Sequence, residues 1–306
     1  IMEYLSISNS NLSVSRLALG LMRIAGKSVA EAEKLINAAV ELGINLFDHA
    51  DIYGAGKSES LFGEVLKRNP SLREKMIIQS KCGIRRGFYD LSFEHIVGSV
   101  EESLKRLGID SLDILLLHRP DTLMEPEEVN KAFSYLDNQG MVRAFGVSNM
   151  NPMQTELLQK SVEYPLLFNQ LQFSLVHAGM VDSGINVNMT NSRAVDYDGN
   201  MLEYARLKNI TIQAWSILQA SKGEGTFLDN PNYTKLNERL AYYAEQYGVE
   251  KSAVALAWIL RHPAKMVAIA GTTSPKHLEE LAKGVDINLT RQEWYDLYLS
   301  AGRLLP

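Results

Sequence analysis

The chain has 306 residues, 46% of them hydrophobic, with 31 Lys and Arg against 36 Asp and Glu for a formal net charge of -5. This composition excludes wholesale disorder, and the mild acidity argues against a nucleic-acid partner while leaving room for a small anionic ligand held by local charge. The single cysteine, Cys82, excludes an intramolecular disulfide and a thiolate zinc site and points to a reducing, cytoplasmic compartment.

Ile1–Ser10 has no basic segment followed by an apolar one, and no apolar run approaches the ~18 residues that span a bilayer, so neither a signal peptide nor a membrane is expected. Length allows two domains or one α/β barrel. Along the chain, short apolar runs alternate with amphipathic stretches. Leu17–Gly20 precedes a helix opened by Ser28 and Glu31, a capping box, and ended by Gly43. Asn45–Phe47 precedes a helix through Leu61, Phe62, Val65 and Leu66 that stops at Asn69-Pro70. Met76–Gln79 leads to a helix from Phe93 to Leu107, ended by Gly108. Leu112–Leu117 leads to one starting at Pro126.

Val142–Val147 precedes a helix opened by Asn151-Pro152, and Leu166–Leu171 precedes one near Met201–Leu207. Ile210–Trp215 leads to helices around Leu236–Tyr247 and Ser252–Leu260. After Met266–Ala270, Ser274-Pro275 caps a helix through Leu278 and Leu281, and Thr290 with Glu293 opens the last. Two stretches break the period: Val181–Asp198, rich in Asn, Asp, Ser and Gly, and Ser216–Thr234. Loops this long are usually functional or mobile. Eight short buried strands alternating with helices imply parallel pairing, either in an open doubly wound sheet or in a closed (β/α)8 barrel. The count of eight favours the barrel, formed as a single domain over residues 1–306. The missing G-x-G-x-x-G after the first strand counts against the dinucleotide-binding open sheet.

In such a barrel chemistry belongs at the C-terminal strand ends. Those ends read Asp48-His49-Ala50-Asp51, Gln79-Ser80-Lys81-Cys82, His118-Arg119, Ser148-Asn149, Asn169-Gln170, Trp215-Ser216 and Gly271-Thr272-Thr273-Ser274. A purely structural barrel has no need of so many buried polar groups, each of which costs free energy unless paired. There is no G-x-S-x-G elbow of a serine hydrolase. Asp48, His49 and Asp51 point in different directions from a strand end, so no metal is expected. Gly54-Ala55-Gly56-Lys57-Ser58 fails as a phosphate loop, because Asp51 stands where its leading glycine belongs.

Taken in order, these residues resemble the aldo-keto reductases. Asn45–Gly54 is similar to that family's Asp…Tyr signature, Ser80-Lys81 to its lysine strand and Leu117-His118-Arg119-Pro120-Asp121 to its histidine. Gly146-Val147-Ser148-Asn149 and Asn169-Gln170 resemble its nicotinamide-binding pairs. The nearest branch is the bacterial one with Ala-Trp-Ser in strand seven and His-Arg-Pro-Asp in strand four. The resemblance implies NAD(P)H-dependent reduction of a small carbonyl substrate on a (β/α)8 barrel, monomeric by default.

It assigns Tyr53 as proton donor, with the Lys81 ammonium lowering the phenol's pKa, Asp48 holding Lys81, and His118 orienting the substrate oxygen. To the cofactor it assigns Gly20, Met22, Arg23, Ser148, Asn149, Gln170, Trp215, Ser216, Leu218, Gly271, Thr272, Ser274, Lys276, His277 and Glu280. Of these, Ser148, Asn149 and Gln170 would hold the carboxamide, and Trp215, which by itself reads equally as core, would stack on the ring. Ser216–Lys222 would form one wall around the cofactor. NADP is favoured over NAD, although NADP-dependent members usually carry Arg where this chain has His277 and Asn where it has Leu281. Lys276 would then supply the charge.

Substrate walls are expected from Arg23, Tyr53, Ile84, the Arg119–Met124 loop and Val181–Asp198. The two arginines fit either an anionic substrate or a cofactor phosphate. His49 and Asp51 are expected to orient loop backbone, and Cys82 to pack. Two other classes remain open: a Schiff-base lyase or isomerase acting through Lys81, and a nicotinamide-binding sensor with little turnover.

Overall fold

The structure, a computed structural model, describes residues 1–221 and 223–306; Lys222, the last residue of the expected Ser216–Lys222 wall, lies outside the described residues. Eight parallel strands close into a barrel: β1 (Leu17–Gly20), β2 (Leu46–Asp48), β3 (Ile77–Cys82), β4 (Leu112–Leu117), β5 (Val142–Ser148), β6 (Leu166–Gln172), β7 (Thr211–Trp215) and β8 (Val267–Ala270). Closure is made where β8 pairs with β1, Ala270 opposite Leu19. The eight apolar runs of the sequence are these strands, and the doubly wound alternative is excluded.

Alternation sorts each strand between two cores. Inward-facing Ala18, Leu46, Ile114, Leu116, Phe168, Val267 and Ile269 fill the bore together with Ile7 and Val14. Outward-facing side chains such as Phe47, Ile78, Leu115, Phe145 and Ala214 pack against the helices. Helix starts follow the expected chemistry. Ser28, Asn151 and Thr290 form complete capping boxes, Ser274 accepts from His277 N–H, and Pro126 takes the first helical position. Gly108 and Gly248 end their helices in the left-handed conformation.

Besides short 3-10 turns, three elements were not expected. The first is an N-terminal antiparallel pair, Tyr4–Ser6 with Ser13–Ser15, which supplies Ile7 and Val14 to the bore. Asn45, at the entry to β2, ties it down: its Oδ1 accepts from Ser15 N–H at 2.8 Å and its Nδ2 donates to Ser13 O at 2.9 Å. The second is a short hairpin, Ile84–Arg85 with Phe88–Tyr89, after β3. The third is a helix, Gly179–Ile185, at the start of the Asn- and Gly-rich stretch. That stretch is tied to the rest of the fold through Asp182 and Arg193. Asp182 Oδ1 accepts from Tyr298 OH at 2.6 Å and Arg303 Nε at 2.7 Å, and its Oδ2 accepts from Arg193 at 3.0 Å. The third strand runs to Cys82, the end of its expected polar segment Gln79–Cys82, because its polar residues stay in the ladder with Leu115, Leu116 and Leu117.

Gly146 in β5 faces the bore. A Cβ there would lie 2.7 Å from Leu116 Cδ2 and 2.9 Å from Phe168 O, and the latter, as backbone, cannot yield cheaply. Gly146→Ala is expected to lower stability by about 1–3 kcal/mol, the usual cost of overpacking. Urea unfolding measures it; an unchanged midpoint would show that the bore has slack.

Candidate active site

The polar strand ends converge because β2 and β3 stay paired past the end of β2. His49 N–H donates to Gln79 O at 2.8 Å and Asp51 N–H to Lys81 O at 3.1 Å, so the loop carrying Tyr53 is stitched to the strand carrying Lys81. The chain then turns through Tyr53–Gly56, where Gly54 and Ala55 adopt positive φ (57° and 54°). Gly54 has a second reason to be glycine: a Cβ would stand 2.4 Å from Ala25 Cβ. The turn swings Tyr53 back over the bore.

Lys81 is fully buried, and its three ammonium protons are all placed. Nζ donates to Asp48 Oδ2 at 2.9 Å, to His49 O at 3.0 Å and to Tyr53 OH at 2.8 Å. Asp48 is equally enclosed, its Oδ1 accepting from Gln79 Nε2 at 2.7 Å and Gln170 Nε2 at 3.0 Å. Burial works against the Lys81 charge, but Asp48 and Tyr53 outweigh it and hold the ammonium pKa above its ordinary value. The Tyr53 phenol is also held above its ordinary value. Here burial is the largest cause, with Lys81 pulling down and Asp48 pushing up. The sequence-based expectation that Lys81 lowers the phenol's pKa is therefore corrected. Lys81 does act in that direction, but desolvation outweighs it, and the resting state is neutral phenol, ammonium and carboxylate.

Since Lys81 donates to the phenol oxygen, the phenol's own proton must point elsewhere. The His118 ring faces Tyr53 edge-on, with centroids 6.2 Å apart. Its pKa is depressed to about 3, first by burial and then by Lys81 and Arg119, so the imidazole is neutral at physiological pH. His118, Tyr53, Lys81 and Asp48 thus form one group. His49 does not orient backbone as expected. Both its ring nitrogens are buried without a hydrogen-bond partner, and the ring packs edge-on against Phe62 at 4.4 Å. Its pKa also falls to about 3, through burial and then Lys81. Asp51 is pushed up to about 6 by burial and the neighbouring Glu59. Cys82 is buried with its thiol pKa well raised, a packing residue.

On the other side of the bore, Ser148 Oγ donates to Gln170 O at 2.9 Å and Asn149 Nδ2 donates to Ser148 Oγ at 3.0 Å. Trp215 is half-buried, and its Nε1 donates to Asn149 Oδ1 at 3.3 Å. Asn149 and Ser216 both hold positive φ (55° and 51°), strain placed at the ends of β5 and β7, the two strands that flank β6. At the end of β1, Gly20 is half-buried, and Met22 and Arg23 are exposed. Leu218 is half-buried.

Beyond β8, Gly271 is exposed, and Ser274 N–H donates to Thr272 Oγ1 at 3.1 Å at the mouth of the Pro275–Ala282 helix. Lys276 and His277 are exposed on its first turn, and Lys276 Nζ lies 3.7 Å from Glu280 Oε1. Leu281 is buried in the core. The four groups centred on Lys81 and the Ser148–Trp215 cluster share one end of the barrel, with the Gly271–Glu280 segment continuing it at β8.

The sequence reading passed over Gln213 and gave Gln79, at the polar end of its strand, no role. Both are fully buried, and each forms hydrogen bonds across the bore. Inward alternation from Lys81 marks Gln79, and a lone amide inside the apolar run Ile210–Trp215 marks Gln213. Among the described residues no group of three or more His, Cys, Asp or Glu is arranged to hold a metal, and no helix is long and apolar enough to cross a membrane.

Comparison with known proteins converges on one family. A sequence model of the Aldo/keto reductase family matches residues 16–298. A 6-dehydroglucose reductase of Agrobacterium fabrum is 35% identical, the alignment covering 98% of each chain. The oxidoreductase YdhF of Escherichia coli is 34% identical over 98% of this chain and 97% of its own. The crystal structure of a thermostable aldo-keto reductase, Tm1743, in complex with the inhibitor epalrestat superposes with a TM-score of 0.78 at 26% identity, covering 98% of this chain and all of that one.

The buried neutral His49 makes stability pH-dependent. The unfolded chain takes up a proton near pH 6.5 and the native state only near 3, so stability falls as pH drops between these values. From pH 7 to 5 the loss from this residue is about 2 kcal/mol. His49→Leu should remove it: the stability difference between variant and wild type, measured by urea unfolding, should shift toward the variant by that amount at pH 5. A difference independent of pH would mean that the imidazole is not held neutral.

Proposed function

The chain belongs to the aldo/keto reductase family of oxidoreductases, and from that premise we propose that it reduces a small polar aldehyde or ketone to the alcohol with NADPH. The observation that carries this reading is the Asp48–Lys81–Tyr53 chain, with spacings of 2.9 and 2.8 Å, facing a neutral His118.

The residues of the mouth suit a nicotinamide nucleotide. Gln170 spends both amide protons inward, on Asp48 Oδ1 and on Gln213 Oε1 at 2.9 Å, and so turns its Oε1 outward as an acceptor for the carboxamide NH2. Asn149 Nδ2 reaches His118 O at a long 3.4 Å, a bond readily exchanged for one to the carboxamide oxygen. Trp215 supplies an aromatic face beside them. When bound, the nucleotide supplies the hydride.

The chain's own residues manage the charge. As the carbonyl carbon is reduced, its oxygen gains negative charge, which His118 stabilises by donating a hydrogen bond. Tyr53 gives that oxygen its proton, and the resulting phenolate is stabilised by the Lys81 ammonium already donating to it. Asp48 keeps Lys81 charged and fixed. The raised phenol pKa suits an acid that must stay protonated until the transition state. A Schiff-base reaction through Lys81 is disfavoured, because it needs a neutral amine and this one is held charged with every proton engaged.

Lys276 and the N-terminus of the Pro275–Ala282 helix favour the 2′-phosphate of NADP over NAD. The sugar aldehyde named for the Agrobacterium relative is the type of substrate we favour, with Arg23 and Arg119 to meet its polar groups. The buried thiol of Cys82 suits the cytoplasm.

Tyr53→Phe is expected to lower kcat by about 10²- to 10⁴-fold while leaving nucleotide binding intact. NADPH absorbance with a panel of sugar and aromatic aldehydes measures the first, and calorimetric titration the second. Equal turnover in wild type and variant would overturn the role of Tyr53. Tight nucleotide binding with no turnover of any carbonyl would instead support a sensor. In the same titration NADPH is expected to bind more tightly than NADH; equal or tighter NADH binding would reverse the cofactor preference.

A further inference from the structure

Four inward-facing side chains make a closed polar ring inside the barrel. Asp48 in β2, Gln79 in β3, Gln170 in β6 and Gln213 in β7 are all buried. β3 and β7 are four strands apart in the eight-strand order, so Gln79 and Gln213 meet across the full bore. They bond reciprocally, Gln79 Nε2 to Gln213 Oε1 and Gln213 Nε2 to Gln79 Oε1, both at 2.8 Å. Gln213 Oε1 also accepts from Gln170 Nε2 at 2.9 Å, while Asp48 Oδ1 accepts from both Gln79 and Gln170.

The polarity of this ring follows from its one group that can only accept, the Asp48 carboxylate. It draws an N–H from Gln79 and one from Gln170. Each of those amides then has a second N–H aimed at Gln213, which must answer with its oxygen; a reversed Gln213 would set donor against donor. Its NH2 is left for Gln79 Oε1. Gln170 is thereby anchored at both protons, and its oxygen is the atom it presents to the mouth.

We propose that Gln213, held by Gln79, is a positioning residue that fixes Gln170 as the acceptor for the amide protons of the nicotinamide carboxamide, so that the barrel floor determines how strictly the enzyme demands an amide on the cofactor. The inference rests on the nicotinamide reading of the site. It concerns Gln79 and Gln213, which lie beneath the residues that would touch the nucleotide.

The test compares calorimetric binding of NADP⁺ with that of its 3-acetylpyridine analogue, in which a methyl group replaces the amide NH2 while the carbonyl remains. One hydrogen bond is worth a factor of about five, so wild type should prefer NADP⁺ about fivefold. Gln213→Met, similar in volume but without acceptor or donor, should cut that preference to about twofold or less. Gln213→Glu should restore it. Burial beside Asp48 keeps its new carboxyl protonated, so the carbonyl can accept from both amides and the hydroxyl can donate to Gln79. If Gln213→Met does not fold, Gln213→Asn, one methylene too short to reach both neighbours, should show the same loss.

A wild-type preference that persists in Gln213→Met or Gln213→Asn overturns the proposal. So does an equal loss in all three variants in step with falling melting temperature, which would mark a merely structural role. Binding of neither nucleotide by folded wild type would instead refute the functional reading beneath it.

Discussion

The molecule is organised around a charge pair it could not hold in any looser frame. Asp48 and Lys81 lie 2.9 Å apart with side chains essentially closed to solvent. Removing two such ions from water costs several kcal/mol each, and their mutual attraction offsets this only if every remaining donor and acceptor is satisfied. Here that condition is met: three acceptors surround the ammonium and three donors surround the carboxylate. Those partners come from β2, β3, β6 and the loop after β2. Only a closed barrel brings β6 within reach of β2, so closure and site solve the same problem.

The pair in turn determines the state of its neighbours. Its ammonium proton on the Tyr53 oxygen makes the phenol a donor toward the mouth, while burial keeps that phenol protonated at rest. The same positive charge helps keep His118 and His49 neutral. For His118 neutrality is useful, because a neutral imidazole can donate a hydrogen bond to an oxygen without adding a second mobile proton. For His49 no hydrogen bond compensates, and it is carried as a cost that grows with acidity. The strained backbone at Asn149 and Ser216 fits the same pattern: local free energy is given up at the ends of β5 and β7, on either side of Gln170 in β6.

Much of this was legible in the sequence because it depends on short-range rules. The strands announced themselves as apolar runs, and the helix starts as the Ser28/Glu31 and Thr290/Glu293 boxes and the Asn151-Pro152 opening. The polar ends of the runs marked which face carries chemistry. What escaped depends on contacts across the fold. Ile7 and Val14 are too few to read as a strand pair, and become one only by filling the bore. Asp182 gave no sign in the sequence that Tyr298 and Arg303 would pin its helix. The sign of the Tyr53 shift turned on desolvation, which no spacing reveals. Leu281 read as a lost polar contact, but it is simply core.

Gln213 escaped for a more instructive reason. An amide flanked by Ile212 and Ala214 reads as an imperfection in a strand, since a buried polar group costs free energy and offers no chemistry by itself. Its value appears only when Gln79 is found opposite. Alone, either amide would be a defect in the bore; together they satisfy one another and extend the field of a buried carboxylate to Gln170. The barrel therefore divides its polar groups by strand: β2, β3 and the loop after β2 carry Asp48, Lys81 and the proposed proton donor Tyr53, β5 to β7 carry the amide and aromatic groups, and the reciprocal pair across the bore links the two halves. A layer that would ordinarily be aliphatic packing instead carries polarity from one side of the site to the other, so a substitution in the floor is felt at the mouth without touching any ligand.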